Sequence, residues 1–560
     1  MRLKRNSLRQ NIVNALNTLS SNKPVKYTTY LSAVVLFLVL ILLPPIIGII
    51  IKGSTMQQVL NEPELMARAL TAIGNSFIIA FLVSALDIIA GIPMAWLITR
   101  GKSKWLNLLD TFIDIPVIIP TAALGYSLLL FWSGSEGVSS LFNGSFVSPG
   151  WILVMLLHFT FSYPVVVRVL VGALFDYKME YERASRTLGA VPIVAFRTVT
   201  SPILKPALIA SFVLSFARSL SETGATLIVA GAFETGPVFI ARMKDQFATS
   251  NPPLYEGAAV FASTIMIISS CTIFALIWLF GPRLKFPFKG ILPKAERSLS
   301  YSKAAWSRNT ITLLVFVFIV LIPSLYVALP AFQAVLSGIL GDALTGAGIW
   351  SSYWKSLLVS YSLGAIVTVL GFILGLPMAI LIARKKLGKS LSALLDVLVT
   401  IPLIVPSIAL GVSLSFFWKQ SFPFIPEMLL LIFAHLAITY PYIVKSMSAA
   451  FERIGTDLEE AARTLGAKPF NVFTTIVFPL AKYSILSGAI MAFTRSLGET
   501  GATVAVTTDL KTVPVVIVEW VRGIVPATPL EIGLSVGILL LLSFIVLFLL
   551  RMVTKGKGRY

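Results

Sequence analysis

The sequence predicts an all-α integral membrane fold, with about twelve transmembrane helices in two parallel six-helix repeats. Three observations carry this. Of 560 residues, 56% are hydrophobic and only 12% charged, and the mean hydropathy is +0.88, a balance that excludes a soluble enzyme. Apolar runs near the roughly 20 residues needed to cross a bilayer recur along the whole chain. Matched residues then return at a fixed spacing between the two halves, as a duplication requires.

The first six runs lie near 31–51, 72–98, 111–132, 151–175, 206–231 and 257–280. The first has a basic leader but no small-residue cleavage site at its end, so it is expected to stay as a span and not to be removed as a signal peptide. A polar stretch follows, in which Arg283, Lys285, Lys289, Lys294, Arg297, Lys303 and Arg308 stand among Pro, Gly and Ser. It reads as a solvated basic linker. The second six runs lie near 310–332, 356–383, 393–418, 428–451, 483–506 and 532–552. The chain therefore divides into a basic tail (1–30), a first repeat (31–282), a linker (283–308), a second repeat (309–553) and a basic tail (554–560).

The formal charge of +20 follows from topology. With the basic N-terminus placed in the cytoplasm, the linker, the C-terminal tail and the clusters Arg100-Lys102-Lys104 and Arg384-Lys385-Lys386-Lys389 all fall inside, as the positive-inside rule asks. The predicted outer loop 133–150 carries no Lys or Arg. Both termini are thus expected in the cytoplasm of a multi-pass cell-membrane protein that meets lipid and no nucleic acid. One cysteine and two histidines leave no material for an intramolecular disulfide, a cysteine cluster or a histidine-rich metal site.

Tyr163-Pro164 and Tyr440-Pro441 stand 277 residues apart, and the same offset pairs His158 with His435, Gly189 with Gly466, Pro202 with Pro479, Arg218 with Arg495, and Glu222 with Glu499. Earlier, Pro116 and Pro120 match Pro402 and Pro406 at an offset of 286. Six spans per copy make both copies face the same way, about an axis along the membrane normal.

Between the fourth and fifth spans of each half lies a cytoplasmic stretch longer than a connector needs. The second copy, near 453–482, reads Glu459-Glu460-Ala461-Ala462-Arg463-Thr464-Leu465-Gly466 and later Ile476-Val477-Phe478-Pro479. The first, near 176–205, reads Glu182-Arg183-Ala184-Ser185-Arg186-Thr187-Leu188-Gly189 and later Val199-Thr200-Ser201-Pro202. Physically this is a short helix with small residues, a glycine suited to a left-handed stop, and a second short helix ended before proline.

This pattern resembles the EAA loop of ATP-binding-cassette importer permeases, E-A-A-x3-G-x9-I-x-L-P. The first copy departs from it at Arg183 and Ser201. The resemblance implies a fused permease subunit working by alternating access, whose two loops dock on two separate ATPase subunits that hold ATP and Mg. It also implies an extracytoplasmic solute-binding protein as partner, and no cofactor bound by this chain. Fusion of two copies resembles the ferric-iron and thiamine permeases, whereas the segment 495–503, Arg-Ser-Leu-Gly-Glu-Thr-Gly-Ala-Thr, is similar to molybdate, tungstate and sulfate permeases. The implied solute is an inorganic oxyanion or ferric iron ahead of an organic cation. An ion-coupled carrier of the major-facilitator kind is the alternative, also twelve spans in two parallel halves; the Gly-x3-Asp-Arg pattern of that group is absent between spans two and three.

Arg218 lies about 12 residues, roughly 18 Å of helix rise, beyond Pro206, which places it near mid-bilayer. Its insertion costs about 2.5–3.5 kcal/mol. Glu222 and Glu499 follow Arg218 and Arg495 by four residues, one helical turn. These four are candidates for lining a solute path, with internally neutralised pairs holding helices in register as the other reading. The Thr-Gly-Ala-Thr runs 223–226 and 500–503 suit close helix packing, and the paired prolines suit kinks around a cavity. His158 and His435 are packing elements or solute contacts, and make a poor metal cage. The apolar stretches 237–240 and 514–517 are expected on the outer face, meeting a binding protein or packing at the interface. The tripeptides at 101–103 and 388–390 are Gly-Lys-Ser, but the glycine a P-loop needs five residues earlier is Trp96 or Ala383. No catalytic constellation stands out, so the chain is expected to be no enzyme.

Overall fold

The computed structural model describes residues 2–101, 103, 105–142, 147–283 and 293–554. Lys102, Lys104, part of the expected linker (284–292) and the tail 555–560 lie outside the described residues. Among the described residues ten helices are long and apolar enough to cross a membrane, and two further pairs pass the same test although each is sharply bent. In order they are Lys23–Ile51, Pro63–Arg100, the pair Leu106–Ile118 with Thr121–Ser140, Trp151–Asp176, Pro192–Ser221 and Pro252–Phe280. The second half repeats this with Lys303–Leu336, Trp350–Ala383, the pair Lys389–Ile404 with Ser407–Ser421, Glu427–Arg453, Pro469–Leu497 and Pro529–Val546. No strand occurs among the described residues.

Spans two, four and five of each half form its centre, and the first span of each half crosses to the other. Phe37 stacks on Tyr440 at 5.6 Å and its repeat mate Phe316 on Tyr163 at 6.4 Å, so the exchange is mutual. Ser127 Oγ donates to the Pro323 carbonyl at 2.6 Å and Thr160 Oγ1 to Ile319 O at 3.1 Å, tying the seventh span into the first half.

Prolines shape the elements. Span three breaks by 105° and span nine by 104° at Pro120 and Pro406, which force the preceding Ile119 and Val405 into extended backbone. Pro116 lies in a four-residue helix that starts after an interruption at Asp114, and Pro402 sits inside a helix without breaking it, so the sharp bend of each span falls at the second proline of the pair. Four π turns occur among the described residues: Leu38–Leu42, Phe196–Thr200, Phe316–Leu321 and Phe473–Val477. Each ends two residues before a proline, Pro44, Pro202, Pro323 or Pro479. Lacking an N–H, the proline leaves the carbonyl four residues back without its α-helical donor, and a π turn accommodates the shift.

The expected N-terminal tail and part of the expected linker prove to be helical. Residues Arg2–Ser21 form a helix, and part of the linker forms another, Pro293–Leu299.

Candidate functional site: an axial cavity and two EAA loops

The fifth and eleventh spans do not run through as single helices. The long fifth helix stops at Ser221 and a short one, Gly224–Val229, begins after a two-residue gap. Its mate stops at Leu497 and resumes as Gly501–Val506. Glu222 and Glu499 therefore lie beyond the helices that carry Arg218 and Arg495, and not on one helical face with them. Each carboxylate accepts from the first turn of the following short helix, Glu222 from Ala225 N at 3.1 Å and Glu499 from Ala502 N at 2.9 Å, which satisfies N–H groups a helix start leaves open.

The halves differ at the arginines. Arg495 forms an ion pair with Glu499. Arg218 forms none with a described carboxylate: its guanidinium lies 5.3 Å from the Phe161 ring centre, and its Nε has no partner among the described residues. A cavity of about 670 Å³ opens beside the two breaks, and Arg218, Glu222 and Arg495 line it together with Pro120, Pro402 and Tyr442. It extends from the breaks toward the EAA loops, where Arg168, Asp114 and Tyr483 form its wall. Arg168 there holds Asp110 at 2.5 Å and Asp114 at 2.7 Å, and the repeat mate Lys445 holds Asp396 at 2.7 Å. Glu499 is buried and does not line the cavity.

The cavity is roofed across the pseudo-twofold axis. A Cβ on Gly224 would fall 2.4 Å from Thr500 Oγ1, and one on Gly501 2.5 Å from Thr223 Oγ1, so the glycines of the Thr-Gly-Ala-Thr runs are what lets the two halves meet. Thr121 Oγ1 donates to Gly498 O at 3.2 Å and Ser407 Oγ to Ser221 O at 3.3 Å. Each broken third span thus satisfies a carbonyl at the end of the other half's long helix.

The histidines brace the breaks. His158 Nδ1 lies 2.7 Å from Ser219 Oγ on the long helix and Nε2 2.9 Å from Thr226 Oγ1 on the short one. His435 repeats this with Ser496 and Thr503, at 2.9 Å each. Both are fully enclosed and neither lines the cavity. Thr226 and Thr503 were expected only to pack closely, and their pairing with the histidines, like that of Ser219 and Ser496, was not read from the sequence, although the 277-residue offset relates Ser219 to Ser496 and Thr226 to Thr503. The stretches 237–240 and 514–517 are buried in the helices Gly236–Phe247 and Val513–Val521, so their apolar side chains pack inward.

Both EAA loops share one build. The helices Met179–Thr187 and Thr456–Thr464 end in glycines with φ of +90° and +86° at 189 and 466, and Ala190 N and Ala467 N bond back to Ser185 O and Ala462 O at 3.2 and 3.0 Å. This is the six-to-one bond of a glycine-terminated helix. The buried Glu182 faces Arg100 at 3.8 Å, and Glu459 faces Arg384 at 2.6 Å, so each loop is anchored on the end of span two or eight. Arg183 and Glu460 occupy the next, exposed position, as do Ala184 and Ala461, while Ser185 and Ala462 are half-buried. The first loop's departure at Arg183 therefore lies on its outer surface and leaves the anchor position acidic. Leu188 and Leu465 are each 89% exposed. These two knobs and the anchors Arg100 and Arg384 were not singled out from sequence, because a leucine beside glycine and an arginine at a span end are both commonplace. Pro202 and Pro479 are exposed past the π turns that lead into the cavity-lining helices.

A duplicated, all-helical membrane domain around an axial cavity is the build of a permease. The family of binding-protein-dependent transport system inner membrane components matches it twice, over residues 87–285 and 371–555, and the chain belongs to that family. It is 33% identical over 263 residues to the sulfate transport system permease protein CysT of Salmonella typhimurium, a match covering 45% of this chain and 91% of the relative. The Escherichia coli protein of the same name is 32% identical over an equal length and equal shares. The molybdate/tungstate transport system permease protein WtpB of Methanocaldococcus jannaschii is 29% identical over 258 residues, 46% of this chain and 96% of the relative. Each such relative thus corresponds in length to about one half of this chain.

Proposed function

We propose that this chain is the fused membrane core of an ATP-driven importer for a tetrahedral oxyanion of the sulfate, molybdate or tungstate type. The observation that carries the reading is Arg218, a guanidinium on the wall of an axial cavity with no carboxylate held against it. A divalent oxyanion offers the acceptors that such a group lacks. Ferric iron, left open by the sequence, is disfavoured. The relatives reported above are oxyanion permeases, and no group of three metal-ligating side chains occurs among the described residues. Family membership also sets aside the ion-coupled carrier.

In this reading a binding protein delivers the anion at the outer face, both termini lie in the cytoplasm, and two separate ATPase subunits supply ATP and Mg. The exposed Leu188 and Leu465 knobs, on helices anchored through Glu182 and Glu459, seat in those subunits. Nucleotide-driven movement of the loops passes through the π turns to the helices bearing Arg218 and Arg495. The contacts at Thr223, Gly224, Thr500 and Gly501 then part, and the cavity turns outward.

Uptake of labelled sulfate, molybdate and tungstate by proteoliposomes holding the full complex tests this. Arg218→Gln with Arg495→Gln is expected to cut uptake at least about tenfold, the equivalent of about 1.4 kcal/mol, with assembly intact. Unchanged uptake of all three anions would falsify the oxyanion role.

A further inference from the structure

The segments that lead into the two first spans each end on an EAA loop of the opposite half. The N-terminal helix Arg2–Ser21 precedes the first half, yet its buried Asn17 bonds to the second loop, Nδ2 donating to Asn471 Oδ1 at 2.9 Å and Oδ1 accepting from Asn471 N at 3.2 Å. The linker helix Pro293–Leu299 precedes the second half, yet it grips the first loop. Glu296 Oε1 lies 3.1 Å from Arg197 Nε, Glu296 Oε2 accepts from Arg197 Nη2 at 3.3 Å, and Ser300 Oγ, just past the helix, accepts from Ile193 N at 3.4 Å. Asn17 and Glu296 stand 279 residues apart, the same offset that relates Pro44 to Pro323. The two helices are therefore equivalent elements, exchanged between halves with the first spans, although they grip different loop positions, since the 277-residue offset pairs Asn471 with Val194 and not with Arg197.

Their chemistry differs in a way that matches the loops. The second loop has a tight anchor, Arg384 to Glu459 at 2.6 Å, and a neutral amide clasp. The first has a loose anchor, Arg100 to Glu182 at 3.8 Å, and a two-point ionic clasp whose partners are each only about 15% exposed. The guanidinium contact with both carboxylate oxygens of Glu296 is charge-assisted, and a charge-assisted contact is stronger than the neutral amide pair. Arg197 also lies in the π turn Phe196–Thr200, between the loop and the helix that carries Arg218.

We propose that Glu296 of the linker is a positioning residue for the first EAA loop, holding through Arg197 a loop whose own anchor is loose. The linker is then part of the transmission, and the fusion of the halves supplies more than a tether. The consequence for transport rests on the importer reading above; the positioning itself does not.

Two readouts separate these. In the full chain with Cys271→Ser, spin labels at Thr187→Cys and Thr464→Cys report the distance between the two loops by pulsed dipolar resonance, with no other subunit present. Glu296→Ala is expected to broaden that distribution. The charge exchange Arg197→Glu with Glu296→Arg is expected to restore it, and Asn17→Ala should perturb the second loop independently. An unchanged width in Glu296→Ala, or broadening that the exchange does not reverse, overturns the proposal whether or not an ATPase is bound. In the complete transporter, Glu296→Ala is expected to lower anion moved per ATP severalfold, with recovery in the exchange variant. An unaltered ratio there, with ATPase subunits co-purified, also overturns it, whereas a wild-type chain that retains no ATPase overturns the importer reading alone.

Discussion

His158 and His435 are the only histidines in the chain, and each bridges a hydroxyl on a long helix to one on a short helix across a break. Removing the ring takes the partner from the enclosed Ser219 or Ser496 hydroxyl, at about 1–3 kcal/mol for a group left unsatisfied, while Thr226 and Thr503 keep their bonds to Glu222 O and Glu499 O at 3.4 and 3.3 Å. His158→Ala and His435→Ala are each expected to lower the melting temperature of the detergent-solubilised chain, with chelators having no effect on wild type; unaltered melting in both variants would remove the bracing role. Lys244 makes a different test. It lies on the short helix Gly236–Phe247, outside the membrane-spanning helices, and donates to Val504 O and Thr507 O of the other half. Burial, aided by repulsion from Lys419 and Lys511 against attraction from Asp245 and Glu427, pushes its ammonium from 10.5 down to about 8. Between those values the unfolded chain holds a proton that the folded chain has released, so stability rises with pH across the window; below pH 8 the buried charge weighs fully against folding. Lys244→Met should flatten the dependence of melting temperature on pH between 8 and 10.5, and curves that stay parallel would show that the site contributes no such slope.

At the scale of elements, the proline of each EAA loop explains the π turn before it. Pro479→Ala returns a backbone N–H to the position where the turn Phe473–Val477 avoids one. Relaxation to an α-helix removes one residue's worth of slack and turns the flanking segments by about 100° relative to each other. The helix is expected to gain stability while transport per ATP falls severalfold, a pairing that calorimetry and uptake together would detect; full transport would mean the turn is a passive adjustment. The span pattern, the duplication and a bend near the paired prolines, though not which proline of each pair carries it, were legible in the sequence because length, offset and proline chemistry act locally. The break after Ser221 was not. An apolar run looks the same whether its helix continues or stops, and four-residue spacing of Arg218 and Glu222 implies a shared face only if it continues. The cavity residues Arg218 and Arg495 were legible as costly charges in apolar surroundings, but the difference between them depends on where Glu222 and Glu499 turn beyond the helix ends. The clasps at Asn17 and Glu296 were invisible, since polar residues in basic flanks carry no periodic mark of what they touch.

For the molecule as a whole, exchange of the first spans means that neither half is complete by itself, and the surfaces between them are where movement has to occur. Asp245 and Arg522 mark the axis on the side away from the EAA loops. They are repeat mates, 277 residues apart, and they bond to each other at 2.7 Å. Two equivalent positions can touch only where the pseudo-twofold axis passes between them. The pair is partly exposed, so it contributes little energy of its own. It reports instead that the faces of the halves away from the EAA loops are in contact while the cavity extends toward those loops. If import proceeds by parting those faces, fixing them must stop it. Asp245→Cys with Arg522→Cys, in a Cys271→Ser background and bridged by a short bifunctional maleimide, is expected to abolish anion uptake while the ATPase subunits remain bound. Each single-cysteine variant treated alike should transport normally, and mass spectrometry would verify the bridge within one chain. Full uptake by bridged protein would show that the anion enters without separation of the halves at the axis, and would move the outer opening elsewhere.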